Sequence, residues 1–243
     1  MANNQPMEQA FQERCQAFYA LKNKNEGERI VIMGNGPSVN NTDLSLLANE
    51  HTIGLNKVYL LFDHVDWRPT FISSYIGDVV KQCREEYLKL GDIPTFIAHE
   101  AREIITPLDR ENMYYYGPHK RFQFSLDPVT EVCCGYTVTY VAMQLAFYMG
   151  FSKVILVGMD HRFNYKGPSD KWHVMEAPDQ NHFCSNYFDS GQNWQAPNLD
   201  MAAAHYAFAG AAYRRFDREI VDCTVDGALD VFRKADLKIE LEK

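Results

Sequence analysis

The stretch R-I-V-I-M-G-N-G-P-S-V-N-N-T-D-L-S-L-L, residues 29–47, passes from an apolar run into Gly34-Asn35-Gly36-Pro37-Ser38 and then into polar residues that open a short helix. A short apolar run closed by a Gly-x-Gly turn reads as a buried strand feeding a ligand-binding turn. The dinucleotide fingerprint is nevertheless incomplete. Val39 stands at its third glycine and Pro37 removes an N–H donor; Asn56 occupies the place of the ribose-binding acid about 20 residues on. No Gly-Lys-Ser/Thr follows, so the turn is not a P-loop. What remains is a turn in which Gly34 and Gly36 let the backbone approach a phosphate, Asn35 offers an amide that both donates and accepts, and Ser38 caps the next turn.

Working outward, short apolar runs alternate with helical patterns. Strands are expected at 30–33, 52–55, 70–74, 95–98, 153–157 and 219–223, with helices at 43–48, 79–90, 137–149 and from 198 onward. The segments 57–62 and 113–116 remain unassigned in type. The alternation indicates an α/β fold, a variant Rossmann-like, mostly parallel and doubly wound sheet. An amphipathic helix at 7–21 precedes it, so the chain divides into an N-terminal helix (1–28) and one Rossmann-like domain (29–243). From 161 to 197 no period survives, yet this segment holds seven aromatics and the histidines His161, His173 and His182. A segment of that length without periodicity reads as a lid.

Composition narrows the function classes. With 46% apolar and 13% aromatic residues in 243, the chain can bury a sizeable core, which excludes disorder. A net charge of −8 and the absence of a basic run exclude a nucleic-acid partner. The N-terminus lacks a leader pattern and no apolar stretch approaches the length of a membrane span, so a soluble cytoplasmic protein is expected. The six cysteines form no C-x-x-C pair and are read as reduced thiols. His182-Phe183-Cys184 offers two metal ligands, too few for a site, and no metal is expected.

Several residues suit a nucleotide-sugar ligand. Asn56 ends the second strand, with Tyr59 three residues on, and ligands of open parallel sheets gather beyond the carboxyl ends of strands. Thr137 and Thr139 open the long helix, where free N–H groups suit a carboxylate or phosphate, although plain capping accounts for them equally. Asp160, at a strand end, either binds a hydroxyl or stabilises its turn. His182 is the loop histidine best suited to general-base work at neutral pH.

G-N-G-P-S after the first strand, N-x-x-Y after the second and the run G-F-S-K-V-I-L-V-G-M-D at 150–160 together resemble the bacterial sialyltransferases of glycosyltransferase family 42. They also resemble the larger family of 6-hydroxymethylpterin diphosphokinase MptE-like proteins. The sialyltransferase resemblance implies a metal-independent transfer of an acidic sugar from a CMP-activated donor to a glycan acceptor. It implies that Asn35 and Ser38 touch nucleotide and donor sugar, that Asn56 sits near the donor, and that the Thr137–Thr139 helix start receives the sugar carboxylate. The sequence departs from that family after Asp160, where His161-Arg162 stand in place of tyrosines. Arg162 with Tyr165 would then meet the departing phosphate. It departs again where the family's base histidine is expected, since Trp194 or Gln195 occupies that place and His182 is left as a displaced substitute. The diphosphokinase alternative implies ATP and Mg²⁺ as cofactor, but only Gly77-Asp78 follows the third strand, not an acidic cluster. A non-catalytic nucleotide- or glycan-binding module is the third reading, and the N-terminal helix offers a contact for a homo-oligomer.

Overall fold

The computed structural model describes residues 5–120 and 123–243; residues 1–4 of the expected N-terminal segment lie outside the described residues. Helix α1 (Gln5–Tyr19) buries Ala10 and Phe18 and sets the Phe18 ring edge-on against Phe96, Tyr116 and Tyr148. Strand β1 (Arg29–Met33) follows, and β2 (Thr52–Leu55), β3 (Phe71–Ser74), β4 (Thr95–Ile97) and β5 (Met113–Tyr115) step outward along one side of it, with α2 (Gly77–Lys89) joining β3 to β4. Helix α3 (Val138–Tyr148) carries the chain back across the sheet. Strand β6 (Lys153–Val157) then pairs with β1 on its other side. A small antiparallel pair, β7 (Trp172–Val174) and β8 (Asn193–Gln195), precedes α4 (Leu199–Arg215), β9 (Glu219–Asp222), β10 (Arg233–Lys234) and α5 (Leu237–Leu241). The main sheet has eight strands in the order β10-β9-β6-β1-β2-β3-β4-β5, and every pairing in it is parallel.

The side-chain alternation of β1 explains why both sheet faces are covered. Ile30 and Ile32 enter one core with α1, α3 and α4; Val31 and Met33 enter the other with α2, α5 and the aromatic residues beyond 161. This is the expected doubly wound α/β architecture. All eleven residues of α3 are buried, so the helix carries no polar face. Its one long polar side chain, Gln144, is fully satisfied: its amide donates to the carbonyls of Cys133 and Tyr140 and accepts from Ser125 N and Cys133 N. Gln144 thereby fixes the strand-like approach to the α3 N-terminus. Gly150, at φ +97°, ends the helix in the left-handed conformation that glycine adopts without penalty.

One expected element changes type and one unassigned segment gains one. The helix at 43–48 is a 3₁₀ turn, Leu44–Leu47, capped by Asp43 accepting from Ser45 N, and the segment 57–62 is a second 3₁₀ turn, Val58–Leu61. Both runs are too short to offset the cost of nucleating an α-helix. Among the described residues, no helix is long and apolar enough to cross a membrane.

Candidate functional site

β1 and β6 are neighbours from which the chain departs to opposite sides, so the crevice beyond their carboxyl ends is the topological switch point of the sheet. The two turns that leave it interlock. Gly34 N donates to Val157 O at 2.8 Å and Gly36 N to Gly158 O at 3.0 Å. A Cβ on Gly34 would stand 2.4 Å from Gly158 O, and one on Gly36 1.9 Å from Asp160 Oδ2. Their N–H groups are spent on the facing turn and their missing side chains admit it, while both glycines line the narrow lobe beside it. Asp160 closes the same joint, accepting from Ser38 Oγ at 2.5 Å and from Ser38 N at 3.1 Å. Of its two sequence readings the structure displays the turn-stabilising one. Ser38 caps no helix side chain-wise; its hydroxyl belongs to Asp160.

Beside the joint opens a two-lobed cleft. The narrow lobe, about 150 Å³, is bounded by Asn35, the α3 start at Thr137–Thr139, the turn Asp160–Arg162, Asn181 and Tyr206. The wide lobe, about 770 Å³, extends toward Tyr75, Glu100, His119, Trp172 and Trp194. Asn56, Tyr136, Thr137, Phe163 and His182 line both. Four of the cleft residues, Asn56, Tyr136, His161 and Asp170, hold positive φ of 46°, 63°, 53° and 62°. Such conformations cost free energy outside glycine, and their clustering here marks the cleft as the functional region.

The individual partners show what the cleft offers a ligand. Asn35 Oδ1 is buried with no hydrogen-bond partner, an acceptor left over at the cleft wall, while Asn35 O is used by Phe183 N. Asn56 is anchored from three sides: its N–H donates to Ser73 O, its carbonyl accepts from Tyr87 Oη, and its Oδ1 accepts from Ser74 Oγ at 3.1 Å. Thr137 is the α3 N-cap, its hydroxyl accepting from Thr139 N, and this helix start lines the cleft. Arg162 is exposed at the mouth, with its guanidinium on the carbonyl of Asp226. Burial pushes the His161 imidazole below its ordinary range.

The segment beyond 161 contributes the most pointed arrangement. His182 Nδ1 lies 2.7 Å from Asp179 Oδ2, and the Asp179 side chain is 1% exposed. A carboxylate only accepts, so Nδ1–H donates to it. Nε2 has no hydrogen-bond partner among the described residues, on a ring that lines both lobes. Tyr187 stacks on the imidazole with 3.9 Å between centroids, which fixes its plane. The segment itself is held shut by buried Lys57, whose ammonium donates to Tyr187 O at 2.7 Å and Gln192 Oε1 at 3.0 Å and sits 4.4 Å above the Phe188 ring. Burial pushes that ammonium below its ordinary range. Asn40 adds a bond from its amide to Phe183 O.

Not every expected residue reaches the cleft. Tyr59 packs edge-on against Tyr87 on the α2 side, because the 3₁₀ turn that carries it directs it into that core. Tyr165 donates to Pro197 O and abuts Trp194, lining neither lobe. His173 is packed with the same tryptophan, leaving His161 and His182 as the loop histidines on the cleft. Asp179 was not singled out from the sequence, although the spacing D-x-x-H at 179–182 is its signal. Among the carboxylates of the cleft, Asp160 accepts from Ser38, Asp170 accepts from Asn198, and Glu100 stands in the wide lobe. Asp78 is exposed and lines neither lobe. Among the described residues, no group of three or more His, Cys, Asp or Glu is placed to hold a metal ion.

The family model of 6-hydroxymethylpterin diphosphokinase MptE-like proteins matches residues 4–166. The chain belongs to the MptE-like family. The matched region carries Asn35, Asn56, Thr137 and Asp160, whereas the Asp179–His182 pair of this MptE-like chain lies beyond it. Among solved structures, the fold is similar to that of the MAf glycosyltransferase from Magnetospirillum magneticum AMB-1, with a TM-score of 0.51 at 16% identity. That likeness covers 93% of this chain but 38% of the glycosyltransferase, so the chain spans well under half of its structural neighbour. No curated protein matches the sequence.

Proposed function

We propose that this MptE-like chain is a glycosyltransferase that transfers an acidic sugar from a CMP-activated donor to a glycan acceptor, with His182 as general base and residues 161–197 as the lid. The observation that carries the reading is the Asp179–His182 pair at the junction of two lobes. The fold it shares with a glycosyltransferase agrees with it. One end of the donor enters the narrow lobe and the rest extends along the junction of the lobes, with Asn35 Oδ1 free to accept from a base or sugar and the α3 start facing the carboxylate. His182 Nε2 removes the proton of an acceptor hydroxyl in the wide lobe; that oxygen bonds to the anomeric carbon as the bond to phosphate breaks, and CMP leaves. Asp179 holds the imidazole in the tautomer this requires and faces the positive charge that develops. Arg162 and the α3 N–H groups meet the charge on the leaving phosphate.

The test is release of CMP from CMP-N-acetylneuraminate by the intact chain in EDTA, with lactose present. The expected result is EDTA-resistant turnover that falls at least about 100-fold in His182→Ala while CMP affinity stays within about threefold. Turnover only with ATP and Mg²⁺ would replace this reading with the diphosphokinase. CMP binding without any turnover would leave a binding module.

A further inference from the structure

The two lobes differ in charge. The narrow lobe pairs Arg162 with Asp160, and the α3 start borders both lobes; among the described residues no lysine or arginine lines the wide lobe, which carries Glu100 and Asp170 beside His119. Lys57, behind its wall, is buried and already committed to Tyr187 O and Gln192 Oε1. Rings form the rest of the wide lobe: Tyr75, Tyr136, Trp172 and Trp194 face a space of about 770 Å³, and Trp172 and Tyr136 remain 47% and 43% exposed at its rim. Trp172, 47% exposed, offers a ring face that suits the C–H face of a pyranose, and carboxylates at the edges accept from its hydroxyls or from an ammonium.

We propose that the wide lobe is an acceptor subsite for a non-acidic saccharide, neutral or amino-substituted, and that Glu100 and Asp170 exclude acidic sugars from it. This rests on the glycosyltransferase reading for the word acceptor, but not for the ligand's chemistry. An acidic ring would place its carboxylate against Glu100 or Asp170 in a half-enclosed space, where like charges a few ångströms apart repel by more than they do in water.

The chain has three tryptophans, of which Trp172 and Trp194 line this lobe, so intrinsic fluorescence reports its occupancy. Titration of the intact protein, saturated with CMP, with methyl β-glucoside, glucosamine and methyl glucuronide is the experiment. The expected result is quenching by the neutral and amino sugars, lost in Trp172→Ala, with the glucuronide at least about tenfold weaker. Glu100→Gln with Asp170→Asn should remove that discrimination. Trp172 is half exposed on an edge strand and Glu100 is exposed, so circular dichroism should show these variants folded. Glucuronide binding equal to the neutral sugar's, or no quenching by any glycoside, overturns the proposal, as does binding only of a serine-containing peptide. Calorimetry with CMP alone separates the two readings. Glycoside binding without CMP binding removes the donor assignment and keeps the subsite; CMP binding without charge discrimination does the reverse.

Discussion

Asp179→Asn is the sharpest perturbation of the catalytic arrangement, because it changes one atom. Oδ2 lies 2.7 Å from His182 Nδ1, and Oδ1 accepts from Asn181 N at 2.8 Å. An asparagine keeps the shape and the Asn181 bond but turns an N–H toward Nδ1, which then accepts; the ring proton moves to Nε2 and the lone pair needed for base work is lost. A hydrogen bond with a charged partner contributes about 1.5–3 kcal/mol, so kcat should fall by about 10- to 150-fold through this bond alone. The assay is steady-state CMP release, with CMP affinity measured separately. The account expects kcat to fall while CMP affinity and the thermal midpoint stay near wild type. A kcat within twofold of wild type would refute the role given to Asp179, and a parallel loss of CMP affinity would reduce it to a structural support.

Three further outcomes follow from other contacts. Lys57→Met should loosen the segment beyond 161 by about 1–3 kcal/mol, since two acceptors lose an ammonium donor while its desolvation is relieved; amide exchange over 183–195 should accelerate by about 5- to 150-fold, and unchanged exchange would deny Lys57 its holding role. Glu240, buried and held by Lys153, Arg233 and Lys243, has its carboxyl lowered from 4.5 to about 2, led by the bonds from Arg233. Its folded value lies below the unfolded one, so its contribution is complete above about pH 4.5 and disappears as pH falls toward 2; solvent around Arg233 and Lys243 limits it to about 1–2 kcal/mol. Urea unfolding of Glu240→Gln should accordingly match wild type more closely at pH 2 than at pH 7, and a gap that does not narrow contradicts this. Gly36→Ala would press a Cβ onto the Asp160 carboxylate and should cost about 1–3 kcal/mol of stability together with CMP binding; a neutral result would mean that the two turns do not interlock as described.

The sheet was legible where burial is uniform. β6 was read with its observed bounds because Lys153 and four consecutive aliphatic residues follow Gly150-Phe151-Ser152, and the continuous apolar run at 30–33 marked the central strand. Boundaries shifted by one or two residues at caps, where side-chain bonds such as Thr137 to Thr139 N decide the end. The segment 161–197 could not be folded from its pattern, because β7 and β8 are three residues each and the loop between them is held by partners far along the chain, Lys57 and Asn40 among them. The same distance separates motif from site. N-x-x-Y joined Asn56 to Tyr59 by spacing, yet the 3₁₀ turn sends one to the cleft and the other to Tyr87. Asp160 looked available until Ser38, 122 positions away, was found on it. His182 was recognisable as a chemical type; its fitness as a base rests on Asp179, whose burial no local pattern reveals.

Calorimetric titration of wild type and Asn35→Ala with CMP in EDTA, against ATP with Mg²⁺, tests the central claim that the cleft beside the interlocked turns is a nucleotide-sugar site. Asn35 Oδ1 is the buried acceptor there without a partner, so CMP should bind wild type without metal and Asn35→Ala at least about tenfold more weakly. Binding of ATP alone and only with Mg²⁺, or CMP binding indifferent to Asn35, would contradict it.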